Sequence, residues 1–398
     1  MRTTKAMILS VGTGLANSEQ AVADLAQALI GSINAANPDK VFLVVSPQSQ
    51  AKTLPLLEPN LSMDWEAILI ENEDDIEATY SCLYPRFRQI RNDYDLITVD
   101  YTSGTKAMTG ALVLLGTIFD AYNLTYVGGR RVNGRVVKGT EKLNVVKPIF
   151  ASVERRIERA VSFFNSCQYD AAIFIIDEIR RLTSDPQITD RLEPLEKASR
   201  AYSLWEDFQH EPAFAALKEV RIDAFDANRR FLGKMQSSDE KEPFLIADII
   251  NNARRRGSIS FRYEDAVGRL YRVIELIAQY RLKSYGIADT GSVDPKLIDG
   301  ELRKKWREYG SAPLKLGLRK SYELLAVKDD ELGKEYEGDN RLRDLLKKRN
   351  NAILAHGLDP VAKDVYEGLL DKALTYASMV VPKLNQLCQD AEFINWHE

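Results

Sequence analysis

Histidine and cysteine are scarce in this sequence, and their scarcity limits the chemistry open to it. Its 398 residues include three histidines and three cysteines. Cys82, Cys167 and Cys388 lie far apart with no paired spacing, so the sequence offers neither a disulfide framework nor a zinc knuckle. Unpaired cysteines fit a reducing compartment, and we expect a cytoplasmic protein.

Long apolar runs and a strong net charge are also missing. No run approaches the ~18–20 apolar residues that a membrane helix needs. The N-terminal MRTTKAMILSVGTG lacks the apolar region and cleavage site of a signal peptide. We therefore expect no membrane association. A net charge of −4 excludes a global basic field for nucleic acid, so any RNA contact must come from a local groove.

The first 150 residues alternate strand patterns with helix patterns. AMILSVG, VFLVVSP, AILIE and DLITVDY are strand-like apolar runs, and stretches with helical spacing separate them. Asn133-Gly134 between β-branched runs predicts a hairpin. Continuous apolar strands separated by helices are typical of a parallel sheet covered on both faces. The sequence predicts an α/β, Rossmann-like domain over 1–150.

Strand patterns stop at residue 151, and helix patterns fill the rest of the chain. The polar stretch QSSDEKEP at 236–243 predicts a loop or linker. We expect an all-α region, with a helical connector over 151–240 and a C-terminal bundle over 241–398. In the bundle, three stretches predict helices: FRYEDAVGRLYRVIELIAQYRLKSYG, then RLRDLLKKRNNAILAH ended by Gly357 and Pro360, then VYEGLLDKALTYASMVVPKLNQL.

Two polar loops follow predicted strands, at the edge where open parallel sheets bind ligands. They are residues 12–14 (GTG) and 100–106 (DYTSGTK). A dinucleotide site fits badly, because Asn17 replaces the third glycine of that fingerprint and Ser46-Pro47 stands where an acidic residue should hold a ribose. SGTKAMT is not a P-loop either. The residues alone leave open that these are ordinary turns whose Thr and Ser cap helices.

The stretch DYTSGTKAMTGAL, together with SVGTG, resembles CARF domains, the Rossmann-like sensors of cyclic oligoadenylate in type III CRISPR systems. The resemblance covers roughly residues 5–150 and implies that two such domains pair and bind one ring. It implies a cyclic oligoadenylate activator, with cyclic tetra-adenylate favoured over cyclic hexa-adenylate. The residues that would bind it are Gly12, Thr13, Gly14, Ser46, Thr102, Ser103, Gly104, Thr105 and Lys106.

The stretch RNNAILAHG, residues 349–357, combines Arg, Asn and His with no metal-ligand spacing nearby. If one helix runs through it, Arg349 and His356 share a face and are separated by about 10 Å along the axis. Arg can stabilise charge on a phosphate, His can transfer a proton near neutral pH, and Asn350 can orient either group. RNA supplies its own nucleophile, the 2′-OH. The same residues are also common on helix surfaces and at helix ends.

The six residues between Arg349 and His356 resemble the R-x(4–6)-H signature of HEPN domains, helical bundles that act as dimeric ribonucleases. Behind a CARF-like domain, this makes the chain similar to the CARF–HEPN ancillary ribonucleases of type III CRISPR systems. The resemblance implies a homodimeric endoribonuclease that cleaves single-stranded RNA by 2′-OH attack. Its composite site would hold Arg349, Asn350 and His356, with no metal or other cofactor.

Weaker candidates and other functions stay open. Lys347 and Lys348 are candidate ligands of the RNA backbone, and Glu275 is a candidate to orient Arg349. Equally, Glu275 could form an ordinary i,i+3 ion pair with Arg272. One alternative function is a cyclic-oligoadenylate sensor or ring nuclease whose helical part only dimerises or recruits a partner. Another is a HEPN toxin-like protein whose N-terminal domain binds an ordinary nucleotide.

Overall fold

A computed structural model describes residues 3–14, 18–132, 135–137 and 139–397 of the protein. The chain divides into two units, one of Met1–Glu158 with Arg181–Thr183 and one of Arg159–Arg180 with Ser184–Glu398. Most of the predicted connector over 151–240 therefore lies in the second unit. The division of the helical part into a connector and a bundle stays a prediction. Within these described ranges, we find no helix with the length and apolarity that a membrane crossing requires.

A six-stranded sheet in the order β3-β2-β1-β4-β5-β8 forms the centre of the first unit. Its strands are β1 (Lys5–Val11), β2 (Lys40–Val45), β3 (Asp64–Leu69), β4 (Leu96–Asp100), β5 (Asn123–Gly128) and β8 (Lys142–Val146). The first five are parallel, and β8 pairs antiparallel with β5 at the edge. The α/β, Rossmann-like fold predicted from the sequence is confirmed, with β8 as an addition.

Helices cover both faces of this sheet. They are α1 (Glu19–Ala36), α2 (Pro47–Lys52), α3 (Leu54–Leu57), α4 (Ile76–Asp93) and α5 (Lys106–Ile118). The short strands β6 (Arg131–Val132) and β7 (Arg135–Val136) pair antiparallel. They flank the predicted Asn133-Gly134 hairpin turn, which lies outside the described residues.

Alternation along β1 explains why helices are needed on two sides. Met7 and Leu9 pack with Leu29 of α1 in one buried cluster, while Ile8 packs with Leu112 of α5 in another. All five side chains are fully buried. Burial of such a side chain contributes about 1.5–3 kcal/mol. The continuous apolar run that predicted a doubly covered strand is therefore required by packing on both faces.

In the part of the second unit that the structure describes, helices joined by turns form the regular structure, apart from two isolated β-bridges. Its helices are α6 (Ile149–Asn165, whose first turns belong to the first unit), α7 (Tyr169–Leu182), α8 (Pro186–Glu206), α9 (His210–Lys218), α10 (Asp226–Ser237), α11 (Glu242–Arg254), α12 (Tyr263–Lys283), α13 (Gly300–Trp306), α14 (Leu318–Val327), α15 (Glu331–Gly338), α16 (Asn340–Asn350), α17 (Lys363–Val380) and α18 (Leu384–Asp390). A short π-helical turn, Arg255–Ile259, follows α11. The predicted linker at 236–243 spans the break between α10 and α11.

Helix α12 is the long helix that the sequence predicts, and it supplies much of the core. Leu270, Ile274 and Ile277 are fully buried at helical spacing. The predicted last helix is interrupted, because Pro382 has no N–H to continue the ladder and Lys383 adopts a φ of +59°. That stretch therefore forms two helices, α17 and α18.

Candidate functional site

The loops after β2, β1 and β4 meet at the carboxyl edge of the sheet. β1 pairs with β2 on one side and β4 on the other, and the strand order reverses there. Open α/β sheets bind ligands at such a reversal. The topology brings to this one edge the nine residues predicted to bind the ligand: Gly12, Thr13, Gly14, Ser46, Thr102, Ser103, Gly104, Thr105 and Lys106.

Ser103 joins the loop after β1 to the loop after β4. Its Oγ accepts a hydrogen bond from Gly12 N (3.0 Å) and donates one to the carbonyl oxygen of Ser10 (2.8 Å). A Cβ on Gly12 would lie 2.7 Å from Gly104 N, so only glycine permits this approach. Gly104 itself has a φ of +105°, which other residues rarely adopt. The two loop backbones are therefore fixed against each other.

Lys106 is the first residue of α5, and its side chain is exposed. Thr105 caps the helix, since its Oγ1 accepts from Met108 N (3.2 Å) while donating to the carbonyl oxygen of Glu73. Lys106 Nζ has no hydrogen bond or ion pair with any residue that the structure describes. An exposed ammonium beside the positive end of a helix suits an anion such as a phosphate.

Several of the predicted hydroxyl ligands already have partners within the protein. Thr102 Oγ1 accepts from Val127 N (2.9 Å). Ser46 caps α2, where its Oγ accepts from Ser49 N (3.3 Å). These side chains, like Ser103 and Thr105, hold the loops in shape. Backbone N–H groups and Lys106 are then the clearest donors left for a ligand.

Asp100 is a residue of this edge that was not among the predicted site residues. It is fully buried, and its carboxylate accepts from Ser32 Oγ (2.5 Å), Thr125 Oγ1 (2.9 Å) and Thr102 N (2.8 Å). It thereby ties the start of the β4 loop to α1 and β5. The available signal was an acidic residue at the end of an otherwise apolar strand.

The helix that carries Arg349 ends earlier than the sequence predicts. α16 stops at Asn350, and His356 lies on a turn rather than on the same helix. His356 N donates to the carbonyl oxygen of Asn350 (3.2 Å), and Asp359 N donates to that of Asn351 (3.0 Å). The chain thus folds back on the helix end. The predicted separation of two helical turns between Arg349 and His356 is wrong.

Gly357 makes this fold-back possible. A Cβ at this position would lie 1.9 Å from the carbonyl oxygen of Asn351, which no side chain can tolerate. The glycine was predicted to end a helix, and its role is instead a close backbone approach within the turn. A contact from elsewhere in the unit also holds the turn, since Leu354 N donates to Glu264 Oε1 at 2.7 Å.

Arg349 is held by stacking and by its neighbour. Its guanidinium lies over the ring of Tyr271, 4.0 Å from the centroid, and its Nη1 donates to Asn350 Oδ1 (3.1 Å). Burial raises the pKa of Tyr271, the Glu275 carboxylate raises it further, and the Arg349 guanidinium opposes them. His356 is exposed. Arg349 and Asn350 therefore lie at the helix end from which the His356 turn departs.

The remaining candidates are on the surface around this turn. Lys347 and Lys348 are exposed in the last turn of α16. Glu275 Oε2 pairs with Arg272 Nη1 at 2.7 Å, so the ordinary i,i+3 ion pair is present. No ion pair joins Glu275 to Arg349 among the described residues. Tyr271 was not among the predicted site residues, and Glu264 gave no signal, because its partner lies 90 residues away.

Across the described ranges, no group of three or more His, Cys, Asp or Glu side chains is placed to hold a metal ion.

Comparisons with known proteins agree with the two resemblances. Residues 234–380 match the family model of the Csm6 HEPN domain. A curated relative, the CRISPR system endoribonuclease Csm6 of Thermus thermophilus, is 25% identical over 378 residues, which are 85% of this chain and 80% of the relative. The similarity to CARF–HEPN ribonucleases predicted from the sequence is confirmed.

Solved structures support the fold over the whole length. Enterococcus italicus Csm6 bound to cyclic hexa-2′-fluoro-hexa-dAMP superposes with a TM-score of 0.61 at 15% identity, covering 98% of this chain and 99% of the other. Can2 of Sulfobacillus thermosulfidooxidans, in complex with cyclic tetra-adenylate, covers 52% of this chain and 66% of its own at 12% identity. Its TM-score with this chain is 0.25, which does not indicate a shared fold. The order along the chain, a Rossmann-like unit followed by a helical unit, is thus shared with Enterococcus italicus Csm6.

Proposed function

We propose that the protein is an endoribonuclease of type III CRISPR defence that cyclic oligoadenylate switches on. The observation that carries the proposal is the turn at 349–357. It links Arg349, Asn350 and His356 within the segment that matches the Csm6 HEPN domain. The Thermus thermophilus relative is named an endoribonuclease, which supports the same activity here.

The chemistry that fits these three residues is attack by the ribose of the substrate. The 2′-hydroxyl of single-stranded RNA gives its proton to solvent water and its oxygen attacks the adjacent phosphorus, and the bond from phosphorus to the 5′-oxygen breaks. Arg349 stabilises charge on the phosphate, and Asn350 orients the reacting groups. His356 gives a proton to the leaving 5′-oxygen. The products are a 2′,3′-cyclic phosphate and a 5′-hydroxyl, and the protein needs no metal for any step.

A homodimer is part of the proposal, with the turns of the two protomers forming one composite site. The turn carries apolar side chains that face solvent in the single chain, namely Ile353 (61% exposed), Leu354 (58%) and Leu358 (84%). Such exposed apolar residues on a loop that also carries polar site residues fit a surface that a partner chain covers.

The activator would bind at the carboxyl edge of the N-terminal sheet. Lys106 and the backbone N–H groups of Thr13 and Gly104 would contact its phosphates. For a switch, the ring must bind one arrangement of the dimer more tightly than another. We propose cyclic tetra-adenylate as the activator. Cyclic hexa-adenylate is the direct competitor, because the Enterococcus italicus protein was solved with a cyclic hexa-adenylate analogue.

Cleavage of labelled single-stranded RNA in EDTA tests the proposal. Rings of three to six adenylates are added in turn to the wild type, Arg349→Ala and His356→Ala. We expect cleavage only with the activating ring, and a loss of about 100-fold or more in each variant with ring binding kept. Arg341→Ala, at the other end of the same helix, and His397→Ala are matched controls, because both side chains are exposed and neither belongs to the turn.

The other outcomes identify the alternative functions. Ring binding or breakdown without RNA cleavage, and no effect of His356→Ala, would support a sensor or ring nuclease. RNA cleavage that no ring changes, with no ring raising the melting temperature, would support a toxin-like protein that binds another nucleotide. Lys106→Ala provides a further check, since it should weaken ring binding about tenfold by removing one charged phosphate contact.

A further inference from the structure

The turn that carries His356 has one hydrogen bond to a distant helix. Leu354 N donates to Glu264 Oε1 at 2.7 Å, and the two residues are 90 positions apart in sequence. The other backbone hydrogen bonds of residues 351–359 that the structure describes join them to each other or to the end of α16. Among these described hydrogen bonds, the one to Glu264 therefore joins the turn to a helix other than α16.

The chemistry of this contact favours a firm hold. A carboxylate that accepts from a backbone N–H forms a charge-assisted hydrogen bond, which is about twice as strong as a neutral one. Glu264 lies in the first turn of α12, where the positive end of the helix stabilises its negative charge. Its side chain is half-buried, so solvent competes only in part for the N–H group.

The same helix also supports Arg349. Tyr271, whose ring lies under the Arg349 guanidinium, is seven residues after Glu264 on α12, which is nearly two helical turns. Glu264 and Tyr271 therefore share one face of α12. The contact from Tyr271 fixes Arg349, and the contact from Glu264 fixes the turn that carries His356. Helix α12 therefore determines the position of Arg349 relative to His356.

We propose that Glu264 is a positioning residue for His356, acting through the backbone of Leu354. The carboxylate does not take part in the proton transfers. It fixes the turn so that the imidazole stands at one distance from Arg349. This role rests on the proposed ribonuclease function where it concerns catalysis, whereas the contact itself does not depend on that function.

The test compares Glu264→Ala, Glu264→Gln and Asp265→Ala in the full-length protein. Asp265 is the matched control, because it is the other acidic residue in the first turn of α12 and its nearest cation is Arg269, at 3.9 Å. The amide oxygen of Gln can still accept from Leu354 N. Two quantities are measured: hydrogen exchange of the Leu354 amide, and kcat and KM for single-stranded RNA with saturating cyclic oligoadenylate.

We expect Glu264→Ala to speed exchange of the Leu354 amide about tenfold or more and to lower kcat by about 10- to 100-fold, with KM within about twofold of the wild type. Glu264→Gln should recover most of both, and Asp265→Ala should change neither. Wild-type kcat in Glu264→Ala overturns the proposal. So does a loss of kcat that persists in Glu264→Gln although exchange of the Leu354 amide is as slow as in the wild type, since the charge of Glu264 and not the position of the turn would then be responsible.

The proposed ribonuclease function can fail separately. If the wild type cleaves no RNA with any ring, the proposed function fails, while the exchange rate of the Leu354 amide still reports whether Glu264 holds the turn. Exchange that is equal in Glu264→Ala and in the wild type would overturn the positioning role in that case as well.

Discussion

Gly357→Ala separates the observed turn from the continuous helix that the sequence predicts. On a helix that runs through His356 and ends at Gly357, alanine at this position would change only the stability of the helix end, by about 1 kcal/mol, and should leave activity intact. In the structure, the new Cβ would lie 1.9 Å from the carbonyl oxygen of Asn351. The helix therefore predicts that the added methyl group leaves activity unchanged, whereas the observed turn predicts a loss of activity.

The size of the effect follows from this contact. Cβ atoms essentially never come within 3.0 Å of such an atom, so the turn must open by about 1 Å. His356 is the preceding residue and moves with it. A displacement of this size at a catalytic group costs about 100-fold in rate, equivalent to about 2.7 kcal/mol of barrier. The turn is largely exposed, so we expect the melting temperature to change by less than about 4 °C.

The assay is single-turnover cleavage of labelled RNA at saturating activator, with thermal melting and activator affinity measured in parallel. Gly338→Ala is the matched control, because that glycine also lies in the second unit and a Cβ there meets nothing within 4 Å. Its rate should equal that of the wild type. If Gly357→Ala also cleaves RNA at the wild-type rate, the close approach between Gly357 and Asn351 does not position His356, and the reasoning is refuted.

Three further predictions concern other contacts. Tyr271→Leu should lower kcat about fivefold, because it removes a stacking contact with Arg349 worth about 1 kcal/mol. Tyr271→Phe keeps the aromatic ring and should have the wild-type kcat. Equal kcat values in the two variants would contradict a role for this stacking contact. Asp100→Ala leaves two hydroxyls and one N–H group without their buried acceptor, so urea denaturation should show a loss of about 3 kcal/mol; an unchanged midpoint would count against this anchor. Burial raises the pKa of Asp339, but hydrogen bonds, including one from Lys372, outweigh it and hold the pKa below its ordinary value of 3.8. The ionised Asp339 carboxylate should therefore stabilise the fold above pH 3.8, and this stabilisation should be lost as pH falls through the lower folded-state pKa. A plot of melting temperature against pH should be flatter in this region for Asp339→Asn than for the wild type. Identical slopes for the two proteins would disprove the assignment.

The fold of the first unit could largely be predicted from the sequence. Continuous apolar runs such as 6–9 and 41–45 can be buried only between two layers, so the pattern indicates both the strands and the covering helices. β8 was missed because Lys142–Val146 is short, half exposed and interrupted by Asn144. Its pairing depends on the open edge of β5, which is a property of the assembled sheet rather than of the segment.

The candidate sites could be predicted as residues but only partly as geometry. The loops at 12–14 and 100–106 fall at one sheet edge, as the positions of their strands require. The end of α16 could not be predicted, because AILA reads as a continuing apolar helix face. The turn that follows the helix is held by a hydrogen bond from Leu354 N to Glu264 and by a close backbone approach at Gly357, and neither partner is visible in local sequence.

The central claim is that the 2′-hydroxyl of the substrate ribose is the nucleophile. Arg349 stabilises charge on the phosphate, and His356 protonates the leaving 5′-oxygen. Analysis of the product ends tests it most directly. RNA is cleaved in EDTA with activator, and the new termini are identified by mass spectrometry. The account predicts a 2′,3′-cyclic phosphate on one product and a 5′-hydroxyl on the other. It also predicts no cleavage when the nucleotide on the 5′ side of the scissile phosphate is a 2′-deoxynucleotide. A 3′-hydroxyl with a 5′-phosphate, or cleavage after the deoxynucleotide, would contradict it.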